Sequence, residues 1–212
     1  MEQWIFTAYE LMAVMLPAIL FTGIFYQSKK RLCPKAAAWH SLCLLVFAFY
    51  LYGVFHFTGS GTVYHIKQYR FELRMDEINL IPFSASSIDP IGYGLNIVLF
   101  LPLGFLLPFL WEKYHALRHA LVFGFLLSLL VETSQLLNIR STDVDDLLLN
   151  TLGTALGWLL FRLYFCVRKQ TARITDPAAA FPYEALLFVM LLFFCRFFTY
   201  YEFGLAKLVY HF

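Results

Sequence analysis

The sequence predicts an all-α membrane protein: a bundle of about six transmembrane helices forming a single integral membrane domain over residues 1–212. Composition is the first ground for this. Of the 212 residues 60% are hydrophobic and 14% charged, and the mean hydropathy is +0.67. A soluble domain would be nearer half apolar, with about a quarter of its residues charged. The second ground is the recurrence of apolar stretches of about 20 residues, the length that crosses a bilayer core as a helix. The third is the distribution of Lys and Arg among the connections, which sorts by side.

The first stretch is Ile5–Tyr26. An acid, Glu2, stands where a signal peptide needs bases, and the apolar run is long, so the segment reads as an uncleaved span with Pro17 inside it. The second span is Ala36–Phe57. A polar connection, Thr58–Gly92, follows; it opens on "TGSGT", read as a flexible turn. Within it, Tyr64–Met75 fits either a short amphipathic helix or a hairpin on the membrane surface. "NLIPF" (Asn79–Phe83) places an Asn and a Pro in an apolar setting, suited to a re-entrant or interfacial loop. The third span, Tyr93–Trp111, contains Pro102 and Gly104. Kinks rather than ends are expected at the prolines, because neighbouring helices can satisfy the freed carbonyls. The fourth, fifth and sixth spans are His119–Leu137, Leu147–Val167 and Pro182–Tyr201.

Orientation follows from the bases. Ten of the sixteen fall in the connections after spans one, three and five, among them Lys29, Lys30, Arg31 and Lys35 after the first. Five fall on the other side, and Arg196 lies within span six. The basic side is expected to be cytoplasmic, with both termini and the Thr58–Gly92 connection outside. The acids agree, since Asp89, Asp143, Asp145 and Asp146 all belong to the side assigned as external.

Several function classes drop out. A net charge of +2 with no basic tract interleaved with aromatics gives no footprint for nucleic acid. Cys33, Cys43, Cys166 and Cys195 form no CxxC pair and lie in or beside apolar segments, as small buried hydrophobes do. No G-x-S-x-G, H-E-x-x-H or P-loop pattern occurs. His115 and His119, spaced i, i+4 on the basic side, read as a solvated helix start.

Against this background, "VETSQLLNIRSTDVDDLLLNTLGTALG" (Val131–Gly157) stands out, because so apolar a chain gathers Glu132, Arg140, Asp143, Asp145 and Asp146 there. Glu132 lies in the outer half of span four, about 20 Å from its inner boundary at 1.5 Å per residue. Ser128, Glu132 and Gln135 share one helical face. A carboxylate at that depth needs a partner, a proton or water. Thr142 with Asp145 fits a capping box, with Ser141 or Thr142 capping span five. Acids in that first turn also suit the positive end of the helix dipole. Three acids plus Arg140 exceed what capping requires. Asp143, Asp146, Asn150, Gly153 and Gly157 then form one stripe down span five, ending in a GxxxG that lets another helix come close. Asn96 in span three is positioned to meet Asn150 across the helices or to bind a ligand. Glu10 and Arg196 also fall toward the outer half, and Arg196 can either neutralise Glu132 or snorkel to the surface.

"NLIPF", "NIVLFLPLGF" and "SLLVETSQLLNIRSTDVDDLLLNTLGTALG", in this order, resemble the VanZ family of bacterial membrane proteins. The resemblance covers about Asn79–Gly157, with the helices at 5–26, 36–57 and 182–201 additional to that core. It implies a multi-pass protein of the bacterial cell membrane with a link to glycopeptide resistance, the namesake reducing sensitivity to teicoplanin. Carried over by position, the family's signature polar residues fall on Asn79, Asn96, Glu132, Gln135, Arg140, Asp143, Asp146 and Asn150, which become the candidate ligand-binding set.

Three functions stay open. The first is a non-enzymatic envelope protein whose polar external cleft binds an amphiphilic antibiotic or a lipid-linked cell-wall component. The second is a membrane enzyme acting on a lipid-linked phosphate or wall precursor. In that reading Glu132, Asp143 and Asp146 are the candidates for catalysis and for holding Mg²⁺ or another hard divalent cation, and Arg140 clamps a phosphate. The third is a small transporter built on Glu132, Asn96 and Asn150 within the membrane.

Overall fold

The computed structural model describes residues 3–69, 78–79, 81–84, 89–137, 142–168, 183–201 and 204. The helices are α1 (Gln3–Lys29), α2 (Pro34–Thr58), α3 (Val63–Tyr69), α4 (Pro90–Leu110), α5 (Leu117–Gln135), α6 (Val144–Arg168) and α7 (Glu184–Thr199). A 3₁₀ turn, Glu112–His115, joins α4 to α5. Two two-residue strands, β1 (Ile78–Asn79) and β2 (Thr142–Asp143), pair in parallel. Among the described residues five helices, α1, α2, α4, α5 and α6, are long and apolar enough to cross a membrane. The sixth apolar stretch appears as α7, whose 16 residues reach about 24 Å. Large apolar side chains such as Ile24, Ile91, Val98 and Val167 face outward all round the bundle, as a lipid-facing surface requires.

Cross-helix pairs define two ends. At one, the start of α1 meets the ends of α2 and α7, and the starts of α4 and α6 meet the end of α5. This end carries the acids of the α6 start. At the other lie Lys29, Lys30, Arg31, Lys35, Lys113, Arg118, Arg162 and Arg168. The two are called here the acidic and the basic end.

The closest packing is between α4 and α6. A side-chain carbon on Gly153 would collide with the Ile97 carbonyl, one on Gly157 with the Leu101 carbonyl, and one on Gly104 with the Thr154 carbonyl. The GxxxG of α6 therefore faces α4 backbone to backbone, and the helices gain dispersion contacts that larger residues would forbid. α4 continues through Pro102, as expected, and through Pro108 as well. His115 Nε2 donates to the Pro108 carbonyl at 3.0 Å, and His119 Nδ1 to that of Lys113 at 3.0 Å. The two histidines thus fix the turn between α4 and α5 and are more than a solvated helix start.

The remaining helices are stapled by buried polar groups. Arg196 on α7 does not approach Glu132 or reach for the surface. Its Nε and Nη2 donate to Glu10 Oε1 on α1 at 2.8 and 2.7 Å, and its Nη1 donates to the Ser60 carbonyl at 2.9 Å. Glu10 Oε2 meets His56 Nδ1 of α2 at 2.6 Å. Phe55 and Tyr200 lay their rings beside the guanidinium. The turn after α2 is not loose. Gly59 takes φ 61°, its N–H and that of Ser60 bond back to the His56 and Phe55 carbonyls, and Ser60 and Thr62 are buried. Ser134 of α5 bonds Ser60 Oγ and the Gly61 N–H, and Gln135 donates to the Thr58 carbonyl at 2.7 Å. Of the two forms open for Tyr64–Met75, a helix is adopted through Tyr69; residues 70–75 lie outside the described residues.

At the basic end, His40 Nε2 of α2 and Trp111 Nε1 after α4 both bond Glu184 Oε2 of α7, each at 2.9 Å and all buried. Thus α7 is held by an acid–base pair at each end: Glu10–Arg196 at one, His40–Glu184 at the other.

Removing one partner of a buried ion pair leaves the other charge unpaired, at a cost of about 3–5 kcal/mol. Arg196→Met and Glu10→Gln should each lose stability of that size, and the double variant should regain part of it, as read by denaturant unfolding in detergent. Gly157→Ala should cost about 1–3 kcal/mol by overpacking α4 against α6, in the same assay.

Candidate functional site

The site is built on the start of α6. Asp143, the last residue of β2, turns its side chain back so that Oδ1 accepts the Asp145 N–H at 2.9 Å. Asp143 therefore caps α6. The expected cap at Ser141 or Thr142 falls on a residue and a side chain outside the described residues. The strand pairing places Asn79 beside Asp143, and Asn79 Nδ2 lies 3.2 Å from Asp143 Oδ2. Asn79 Oδ1 accepts the Ile81 N–H at 3.1 Å, which ties the turn at Ile81–Phe83 to β1.

The next two acids are held by α4 and by that turn. Asp145 is fully buried; its Oδ1 accepts the Phe83 N–H at 2.8 Å, and its Oδ2 accepts the Tyr93 hydroxyl. Phe83 itself takes φ 53°, a left-handed conformation that a bulky residue holds only when its surroundings enforce it. One turn of α4 further on, Asn96 Nδ2 donates to Asp146 Oδ1. The N-terminus of α4 is in turn fixed by Asp89, whose Oδ1 accepts the Ile91 N–H at 3.1 Å ahead of Pro90. The α4–α6 register set by the glycines thus brings Tyr93 to Asp145 and Asn96 to Asp146.

α5 closes the other side. Ser128, Glu132 and Gln135 are all buried, as a common face predicts. Ser128 Oγ accepts from Asn150 Nδ2 at 2.9 Å. One turn toward the acidic end, Glu132 lies in the field of Asp146 and beside the Asp143 backbone amide. Helices α5 and α6 therefore run past each other as a ladder of polar rungs, Ser128–Asn150 and Glu132–Asp146. Among the described residues two oxygen atoms on this seam have no hydrogen-bond donor, Glu132 Oε2 and Asn150 Oδ1, and a third, Gln135 Oε1, lies at its edge.

Seven of the eight predicted site residues are thus gathered at the acidic end: Asn79, Asn96, Glu132, Gln135, Asp143, Asp146 and Asn150. Arg140 lies outside the described residues. Asn96 and Asn150 do not pair with each other, because they face different partners across α6. Gln135 sits at the edge, engaged with the turn after α2. Asp145, named in the acidic cluster but not in the ligand-binding set, is the most buried acid of the group, and its partner Tyr93 escaped prediction. Tyr93 stands three residues before Asn96, on the same face of α4, which was the available signal. Among the described residues no three His, Cys, Asp or Glu side chains converge as a metal ion would require.

Five bilayer-length helices around a buried polar cluster define a polytopic helical membrane protein. Residues 41–165 match the model of the VanZ/LLP1 family, more than half of the chain, and the protein belongs to that family. The match reaches beyond the motif-bearing 79–157 to take in most of α2 and α6, and it includes every polar residue of the site. No curated protein and no solved structure matches the chain.

Asn96→Ala would leave the Asp146 carboxylate without its amide donor. A hydrogen bond to a charged group is worth about 1.5–3 kcal/mol, and a loss of that size is expected in denaturant unfolding. Asn96→Asp should lose more, since it sets like charges face to face.

Proposed function

We propose that this protein acts at the external face of the cell membrane, binding an amphiphile there and lowering sensitivity to teicoplanin. The amphiphile is the acylated antibiotic itself or a lipid-linked cell-wall component. The observation that carries this reading is the position of the polar cluster. Asn79, Asn96, Asp143, Asp145, Asp146 and Glu132 lie together at the end of the bundle opposite the basic connections. By the positive-inside rule that end faces outward, and both termini with it. Exposed Ile81, Phe83, Ile91 and Leu95 border the cluster. Polar groups beside lipid-facing apolar side chains suit a molecule with a polar head and an acyl chain.

A second reading is favoured by one feature, the Glu132 carboxylate lying within electrostatic reach of that of Asp146. Two carboxylates near one another are groups that could serve as a general acid–base pair. The reaction would then be turnover of a lipid-linked phosphate, with a divalent cation drawn by the acids.

The test is expression of the wild type and of Glu132→Gln, Arg140→Ala and Asp146→Asn variants in a susceptible Gram-positive host. The wild type should protect against teicoplanin and not vancomycin, and each variant should lose most of that protection at equal membrane abundance. Protection from none of the versions would overturn the first reading. Metal-dependent release of phosphate from a lipid-linked substrate, lost in Glu132→Gln, would establish the second.

A further inference from the structure

The atoms left without partners at the two ends of the bundle differ in kind. At the basic end they include His40 Nδ1 and Glu184 Oε1, a ring nitrogen and an oxygen within one acid–base pair. At the acidic end, among the described residues, they are all acceptors: Glu132 Oε2 on the α5–α6 seam, Gln135 Oε1 at its edge by the turn after α2, and Asn150 Oδ1 deeper on the seam. Their side chains are 4%, 5% and 1% exposed, so bulk water does not satisfy them. An acceptor buried without a donor is costly, and two on one seam select for something that donates.

Charge narrows the choice. Glu132, Asp143, Asp145 and Asp146 are gathered within three turns of helix, and among the described residues their side-chain partners are amides, hydroxyls and backbone N–H groups, with no Lys or Arg in an ion pair to them. A phosphate or a carboxylate would bring further acceptors and further negative charge. A sugar hydroxyl would donate but leave the charge unbalanced. An ammonium group supplies three N–H donors, no acceptor and one positive charge. Depth also fits: Asn150, the innermost acceptor, lies about 9 Å along α6 from its first residue, within reach of a headgroup entering from the interface.

We infer that the seam between α5 and α6 at the acidic end binds a primary ammonium group, with Glu132 and Asn150 as its hydrogen-bond acceptors. This rests on the reading of that end as a ligand-binding surface and specifies the chemistry the ligand must carry. The nitrogen belongs either to a lipid headgroup or to a soluble amine. Arg140, the cation in the adjoining turn, is the competitor within the chain.

The experiment is equilibrium dialysis of radiolabelled octylammonium against the full chain in nanodiscs of choline-headgroup lipid. Octyltrimethylammonium keeps the charge without N–H donors, octanol keeps a donor without the charge, and octyl phosphate reverses the charge. Octylammonium should bind at least about ten-fold more tightly than any of the three, the difference that a charged hydrogen bond makes. Glu132→Gln and Asn150→Ala, each shown folded by its melting curve, should each weaken it, the former about ten-fold or more. Equal binding of the trimethyl analogue, or unchanged affinity in both folded variants, overturns the inference. So does binding that appears only in Arg140→Ala, since the chain's own guanidinium would then fill the seam. Competition by ethanolamine-headgroup lipid in the nanodisc would identify a headgroup as the source, and its absence a soluble amine; either follows only if octylammonium binds. Should octylammonium fail to bind while Glu132→Gln still abolishes protection in cells, the inference falls and the proposed function stands.

Discussion

The backbone-to-backbone contact of α4 with α6 is the constraint on which the polar end depends. Gly104, Gly153 and Gly157 let the helices approach until side chains of any size would collide with carbonyls. Packing that close has one register, and this register aligns Tyr93 with Asp145 and Asn96 with Asp146. A slip of one residue would rotate each acid by about 100° and leave it facing lipid or apolar packing. In a bilayer that penalty is several kcal/mol per group, so the glycines and the acids enforce the same alignment from opposite ends of the contact.

Around this pair the chain solves a second problem, which is how to carry ionised groups through an apolar bundle. Glu10, His56 and Arg196 neutralise one another where α1, α2 and α7 meet, and the guanidinium also satisfies the Ser60 carbonyl. His40, Trp111 and Glu184 do the same at the basic end. Buried pairs of this kind add little net stability over apolar packing, but they penalise every arrangement that separates them. Both clamp α7. Apart from His56 and Trp111, their charged and ring partners lie outside the 41–165 segment that matches the VanZ/LLP1 family, so α1 and α7 attach to the family core through side chains placed mostly outside it.

The polar cluster at the acidic end differs from these clamps because it is not neutralised internally among the described residues. Its acids are met by neutral donors, and its α5 face retains acceptors with nothing to accept. Local rules account for part of it. Asp143 caps α6, and Asp145 holds the turn at Phe83, so two of the acids have structural work that any helix start might require. Glu132 joins no ion pair among the described residues, and the Asp143 backbone amide is the group that meets it. A residue that destabilises its surroundings without a structural return is where a functional reading is strongest.

The sequence by itself determined the membrane class, the spans, the stripe on α6 and nearly all residues of the acidic cluster. It could do so because bilayer thickness and helical periodicity translate directly into spacing along the chain. What it could not determine was pairing. Arg196 was as well placed to neutralise Glu132 as to reach the surface, and only the packing of α7 against α1 gave it to Glu10 instead. Asn96 and Asn150 looked like partners because both are amides on neighbouring helices; the rotation of α6 sent one to face Asp146 and the other to face Ser128. The "TGSGT" turn reads as loose from its residues, yet the end of α5 lies across it and buries it. The His40–Glu184 pair was invisible because its members stand 144 residues apart, in segments with no motif. Spacing is a property of one helix, whereas a hydrogen bond between helices depends on the rotation and depth of both, and those are fixed only when the bundle closes.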